Sequence, residues 1–247
     1  MRLLASDFDG TLYRDQKIDP ADLEAIAAWR AAGNFFGLCS GRAPLVAAEL
    51  LRKYQIPADF IIASNGAAAL DRNGAFLYRK LLGRKPVGLA YKMARELDCI
   101  SVVVNREEGD LRICSFTDPA QSNTTPAALL RLPRLLQFNA RFATQENATR
   151  FTARVNAEIA GITAHQNSVY IDCTVGGVDN GIGVAFMADH FQIPEAYCFT
   201  IGDNRNDLPM LMRFHGAAIS SGDAETQRQT GFVVPGVAAL IQTLLNE

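Results

Sequence analysis

Two carboxylates, two residues apart at the end of a short apolar run, constrain this chain more than any other feature. Leu3, Leu4 and Ala5 lead into Asp7-Phe8-Asp9-Gly10-Thr11. An apolar run this short reads as a buried strand. Side chains at i and i+2 of an extended segment point the same way, so Asp7 and Asp9 converge, and Gly10 lets the backbone turn beside them. Two like charges held together need a cation or a shared proton. A site offering only oxygen donors favours Mg²⁺. The plainer reading is a turn, with one Asp capping a helix and the other solvated.

Two later runs weigh against the plainer reading. Phe35-Phe36-Gly37-Leu38-Cys39 reads as another buried strand and ends in Ser40-Gly41-Arg42. A hydroxyl, a flexible N–H and a cation suit the oxygens of a phosphate. Tyr197-Cys198-Phe199-Thr200-Ile201 reads as a third strand, followed by Gly202-Asp203-Asn204-Arg205-Asn206-Asp207. More oxygen ligands thus sit at the C-terminal end of a strand, the edge where open α/β sheets place their sites.

With these residues in order, the chain resembles the haloacid dehalogenase superfamily, specifically a Cof-type phosphatase. The matching runs are Asp7-Phe8-Asp9-Gly10-Thr11, Ser40-Gly41-Arg42, Ser64-Asn65-Gly66-Ala67 and Gly202-Asp203-Asn204-Arg205-Asn206-Asp207. The first and last are highly specific, whereas the Asn-Gly run is also a common turn. The resemblance implies a Rossmann-like parallel α/β core with an inserted α+β cap, and a Mg²⁺-dependent phosphatase. One departure stands out. The family's third motif has a Lys before a Gly, and in Gly177-Val178-Asp179-Asn180-Gly181 that place is held by Asn180.

Phosphoryl transfer needs an in-line nucleophile, charge neutralisation and an acid for the leaving oxygen. Asp7 is read as the nucleophile, passing through an aspartyl-phosphate. Asp9 is read as the general acid and then the base, and the resemblance implies that its backbone carbonyl joins the metal. Asp203 is the further carboxylate on Mg²⁺, with Asn206 or Asp207 completing the shell; its plainer role is a helix N-cap. Ser40 and Gly41 are expected to hold phosphate oxygens. Arg42 either joins them or orders the loop by pairing with a core carboxylate. Asn65 touches substrate or makes a turn, Asn180 donates a hydrogen bond to the phosphate, and Arg205 or Arg42 is the candidate to replace the missing Lys. Asn204 is read as structural. Two further functions fit the same motifs: a phosphomutase, or a weakly active regulator that binds a phosphorylated ligand, for which Asn180 is the support.

The 247 residues allow one large or two modest domains, and half of them are apolar. A net charge of −2 gives no electrostatic case for nucleic acid or an anionic membrane. Cys39, Cys99, Cys114, Cys173 and Cys198 are dispersed, which argues against a zinc site and for reduced thiols in the cytoplasm. Neither a signal peptide nor a membrane span is expected. The expected partner is a small phosphate ester.

Asp19-Pro20 opens an expected helix reaching about Ala32, before Gly33. A helix over Leu45–Tyr54 and a strand over Phe60–Ala63 complete a β-α-β-α-β rhythm, which implies a parallel sheet. Asn73-Gly74 marks a hairpin between Ala68–Leu70 and Phe76–Tyr78. The rhythm changes after Leu82. Helices are expected over Val87–Leu97 and Glu146–Ile159, and strands over Ser101–Val104, Leu111–Phe116, Leu135–Phe142 and Val169–Cys173, with an irregular loop over Thr117–Pro126. The core is therefore expected at residues 1–82 and 178–247, with the cap at 83–177. A helix from Gly181, the Tyr197 strand, a helix over Leu208–Phe214 and a strand over Ala217–Ser220 complete the core.

Overall fold

The computed structural model describes residues 1–115 and 126–246. In chain order, the strands and helices are β1 (Leu3–Asp7), β2 (Tyr13–Arg14), β3 (Lys17–Ile18), α1 (Pro20–Ala31), β4 (Phe35–Cys39), α2 (Pro44–Tyr54), β5 (Phe60–Ala63), β6 (Ala68–Asp71) and β7 (Phe76–Arg79). There follow α3 (Arg84–Glu96), β8 (Cys99–Arg106), β9 (Gly109–Ser115), α4 (Pro126–Leu129), β10 (Leu135–Phe142), α5 (Gln145–Glu158), β11 (Ile162–Asn167) and β12 (Tyr170–Val175). The chain ends with α6 (Asn180–His190), β13 (Cys198–Gly202), α7 (Leu208–Arg213), β14 (His215–Ile219), α8 (Ala224–Thr230), β15 (Val233–Val234) and α9 (Val237–Leu245).

The larger sheet runs β15-β14-β13-β1-β4-β5-β6-β7, parallel from β15 to β5, with β6 and β7 antiparallel. The period of two in each strand feeds an apolar layer on either face. Leu4, Phe36, Leu38 and Ile61 pack with Ile26 and Trp29 of α1 and with Leu240 and Ile241 of α9. Leu3, Ala5, Phe60 and Ile62 pack with Val184 and Met187 of α6 and with Met210 of α7. Asp19 caps α1 by accepting from the Ala21 N–H at 2.9 Å, with Pro20 first in the helix. The chain leaves β1 toward β4 and β5, then returns on the other side as β13 and β14. The end of β1 is therefore the topological switch point, where such sheets place ligands.

The smaller sheet is antiparallel, in the order β11-β12-β10-β8-β9. One face buries Val102, Val104, Phe138 and Ile171 against Val87 and Met93 of α3 and Phe151 and Val155 of α5. Its other face lies over the C-terminal edge of the large sheet. The fold is thus α/β, a Rossmann-like core carrying an α+β cap.

Several elements differ from the sequence expectation. β11 was not anticipated, because Thr163, His165 and Asn167 interrupt its apolar pattern. Its neighbour β12 runs to Val175 rather than ending at Cys173. α8, β15 and α9 were not anticipated either. Tyr197 lies in a 3-10 turn before β13. β9 ends at Ser115, so the expected Phe116 lies outside the described residues, as do 117–125 of the expected loop; Pro126 begins α4. Among the described residues, no helix is long and apolar enough to cross a membrane.

Candidate active site

Asp7 ends β1 and is 6 % exposed. Its Oδ2 is buried without a hydrogen-bond partner. Asp203 and Asp207 approach from the loop after β13, and one carboxylate oxygen from each of the three lies within 4.8 Å of the others. Asn204 shapes that loop. Its side chain accepts from the Arg205 N–H, while Asp207 accepts from the N–H groups of Asp203 and Asn204 at 3.1 and 3.3 Å. Thr11 donates to Asp203 at 3.3 Å. Gly10 has φ of +93°, and a Cβ there would lie 2.3 Å from Asp203 Oδ2, so only Gly admits this carboxylate.

Crowding raises all three acids. Burial pushes Asp7 well up, and the charges of Asp207, Asp203 and Asp9 push it further. Burial and then Asp203 push Asp207 up to about 7. Asp203 is raised by burial, partly offset by the Thr11 hydroxyl. Among the described residues, none of the groups that act most strongly on Asp7 or Asp207 is a cation. An orphaned carboxylate oxygen within a repelling, all-oxygen trio fits a hard divalent cation. The neighbouring Cys39 is no rival nucleophile, since burial and the charges of Asp7 and Asp207 push its thiol well up.

Asp9 lies apart from the trio, with its side chain half exposed. Arg42 grips it through Nε at 2.9 Å and a terminal nitrogen at 2.8 Å. Arg42 was expected either on a phosphate or on a carboxylate; the structure places it on Asp9. Ser40 is buried and its Oγ accepts from the Arg42 N–H at 3.2 Å. The Gly41 carbonyl accepts from Asn105 Nδ2 at 2.9 Å and Gln137 Nε2 at 3.3 Å, both on the smaller sheet.

Ser64, Asn65 and Gly66 have φ of +51°, +49° and +89°, three successive left-handed residues. At Gly66 a Cβ would come within 1.9 Å of the Asp179 carbonyl oxygen. The turn aims Asn65 Nδ2 at Asp172 Oδ2, 2.8 Å away, and at Gln137 Oε1, 3.1 Å away. Sequence reading missed Asp172, Gln137, Asn105 and Asn139. Their only signal was polar residues at alternate positions of a strand, which any solvated face also shows.

Asn180 opens α6 and is 1 % exposed; neither amide atom has a hydrogen-bond partner. Its amide nonetheless stands within weak hydrogen-bonding reach of Asp207 and draws that acid's pKa down. Asn206 Oδ1 is likewise buried without a partner, and its Nδ2 lies 3.5 Å from Asp207. Arg205 is 60 % exposed and reaches Asp223 at 3.3 Å, away from the trio. The two Arg candidates for the missing Lys are thus paired elsewhere, Arg42 with Asp9 and Arg205 with Asp223.

The architecture is a mixed α/β fold with its acidic centre at the switch point of a largely parallel sheet. The family model of haloacid dehalogenase-like hydrolases matches residues 4–238, and the chain belongs to that family. Among solved structures, a haloalkanoate-superfamily phosphatase from Bacteroides thetaiotaomicron is 22 % identical with a TM-score of 0.82, covering 100 % of this chain and 94 % of its own. A subclass IIB sugar phosphatase is 18 % identical at 0.82, covering 100 % and 98 %. A haloacid dehalogenase-like hydrolase from B. subtilis is 16 % identical at 0.83, covering 99 % and 100 %. No functionally curated protein matches the chain.

Proposed function

We propose that this protein is a Mg²⁺-dependent phosphomonoester hydrolase acting on small phosphorylated metabolites, sugar phosphates foremost. The observation that carries the reading is Asp7, a buried carboxylate with an unpartnered oxygen amid two more acids at the switch point. Asp7, Asp203 and Asp207 would hold the metal, with the Asp9 carbonyl and Asn206 beside them. When bound, the metal would screen the repulsion between Asp7 and the phosphate dianion.

In this reading an Asp7 oxygen attacks phosphorus in line, and the bond to the ester oxygen breaks with its electron pair leaving on that oxygen. Asp9 gives that oxygen a proton. Water then attacks the aspartyl-phosphate, passes a proton to Asp9, and frees Asp7 and inorganic phosphate. Ser40, Gly41 and Asn180 would hold the non-reacting oxygens. Asp9 can meet the leaving oxygen only once Arg42 has let go of its carboxylate. Exposed ion pairs are typically worth about 0.2–1 kcal/mol, so opening this one costs little against a reaction barrier.

Residues 83–177 would act as a cap that excludes water and selects the leaving group. The five cysteines are free and buried, which supports a reducing, cytoplasmic setting. A second reading, a regulator that binds a phosphorylated ligand without turnover, is favoured only by the missing cation at residue 180. A phosphate-release screen over many phosphomonoesters, with Mg²⁺ or EDTA and with Asp7→Asn as control, decides. Steady release that needs Mg²⁺ and Asp7 supports the hydrolase. Isomerised product without release selects a mutase, and binding without release selects the regulator.

A further inference from the structure

The open face of the cap sheet is built in registered cross-strand rows. The row nearest the core holds Asp110, Asn105 and Gln137, paired across β9, β8 and β10. Asn105 and Gln137 of this row seat the cap on the Gly41 carbonyl. The next row holds Arg112, Val103, Asn139 and Asp172. Beyond it lies a row with Ser115, Ser101, Arg141 and Tyr170. The two outer rows line a cavity of about 350 Å³. Asp172 ties this cavity to the core through Asn65, and its Oδ2 would lie 3.3 Å from a Cβ on Gly41.

The polar groups of the cavity are sorted along the strands. Near the Ser40–Arg42 loop are the amide of Asn139 and the carboxylate of Asp172, groups that bind hydroxyls. Asn139 is itself oriented by donating to Asn105 at 2.6 Å and by accepting from Gln137. At the far end stands Arg141, four residues along β10 from Gln137, or about 13 Å at ~3.3 Å per residue. Arg141 lies over the Tyr170 ring, 5.5 Å from its centroid, and makes no ion pair among the described residues. Arg112 adds a second guanidinium to the lining. A planar guanidinium held on an aromatic face suits a carboxylate or a phosphate. A leaving group with only hydroxyls would leave this charge unused.

We infer that this cavity receives the leaving group and selects phosphate esters that are polyhydroxylated near the ester and anionic at the far end. This rests on the phosphatase reading and adds a substrate class to it. The second anion is a phosphate or a carboxylate, and both present oxygens to the same guanidinium.

The test compares three esters of one sugar skeleton: a monophosphate, a bisphosphate and a phosphorylated sugar acid. Binding is measured by calorimetry in the Asp7→Asn background, with and without Arg141→Gln, and kcat/KM is measured with Asp7 intact. The inference expects at least one doubly anionic ester to bind tenfold or more tightly than the monophosphate, with the same preference in kcat/KM. The better of the two identifies the anion. Arg141→Gln, at an exposed position, should collapse that ratio. Equal binding of all three, or a ratio that survives Arg141→Gln, overturns the inference. If no ester is hydrolysed but the binding preference stands, the hydrolase reading fails and the anion pocket does not.

Discussion

Arg42 holds both carboxylate oxygens of Asp9, at 2.9 and 2.8 Å, across 33 residues of chain. The two side chains remain about half exposed, so the pair orients Asp9 without locking it. If Asp9 is the acid, its loss should be felt most where the leaving oxygen needs a proton. Asp9→Asn should slow an alkyl phosphate by about a hundredfold or more, within the usual range for general acid catalysis. p-Nitrophenyl phosphate, whose leaving group departs as a stable anion, should lose far less. Arg42→Ala should show the same substrate bias at about a tenth of the size. Equal falls on both esters would mean that the pair only shapes the loop.

Asp7→Asn separates chemistry from stability. An amide is no nucleophile at phosphorus, so turnover should vanish, and acid-quenched wild-type enzyme should carry phosphoryl on Asp7. Yet the same change removes one of three crowded, mutually repelling acids. Without metal, at pH 8, the variant should melt higher than the wild type, and added Mg²⁺ should raise its Tm less. Residual turnover above about a tenth, equal to a barrier difference of only ~1.4 kcal/mol, would sink the covalent route.

The raised acids also set a pH dependence with a definite sign. Burial and the Asp203 charge push Asp207 up to about 7 in the folded protein, against the ordinary carboxylate value near 3.8 in the unfolded chain. Folded protein therefore holds a proton that unfolded chain has released between those values. Metal-free stability should fall as pH rises through that window. A metal needs the carboxylates deprotonated, so its affinity should rise over the same range. Thermal melts from pH 5 to 8 should show the Mg²⁺-induced rise in Tm growing with pH. A rise that stays flat, or shrinks toward pH 8, would contradict the trio as the metal site.

How much of this was legible depends on burial. β1, β4 and β5 are short, apolar and buried on both faces, so runs such as Phe35–Cys39 mark their own ends. The motif loops could be read because they follow those strands directly. The cap face could not. Asn105, Gln137, Asn139 and Asp172 alternate with core residues, as polar residues do on any sheet exposed on one side. What sets Asn105, Gln137 and Asp172 apart is their partners, Gly41 and Asn65, which are distant in sequence, while Asn139 is held by Asn105 and Gln137. The Arg42–Asp9 pair was hidden in the same way, since spacing placed both residues at the site but not on each other. Arg205 sits within a motif, yet its guanidinium turns to Asp223.

Asn180 is where sequence and structure pose the sharpest question. It is buried at the start of α6, its amide makes no hydrogen bond of ordinary geometry, and it stands within weak reach of the Asp207 carboxylate. Among the described residues Arg42 is paired with Asp9 and Arg205 with Asp223, so neither guanidinium is held on the trio. Asn180→Lys would place an ammonium beside Asp207 and Asp7. The helix N-terminus opposes a cation by about 0.3–1 kcal/mol, but a neighbouring buried carboxylate favours it by more. A preorganised charge at such a place is commonly worth about a hundredfold in rate. We expect kcat to rise at least tenfold in Asn180→Lys, while Arg205→Ala changes it less than about twofold. Without metal, the Lys should also draw the Asp207 titration below 7, flattening the fall in Tm between pH 5 and 8. That second readout does not depend on turnover. If Asn180→Lys folds, leaves kcat unchanged and keeps the wild-type slope of Tm with pH, the trio does not lack a cation there and its electrostatics are misread.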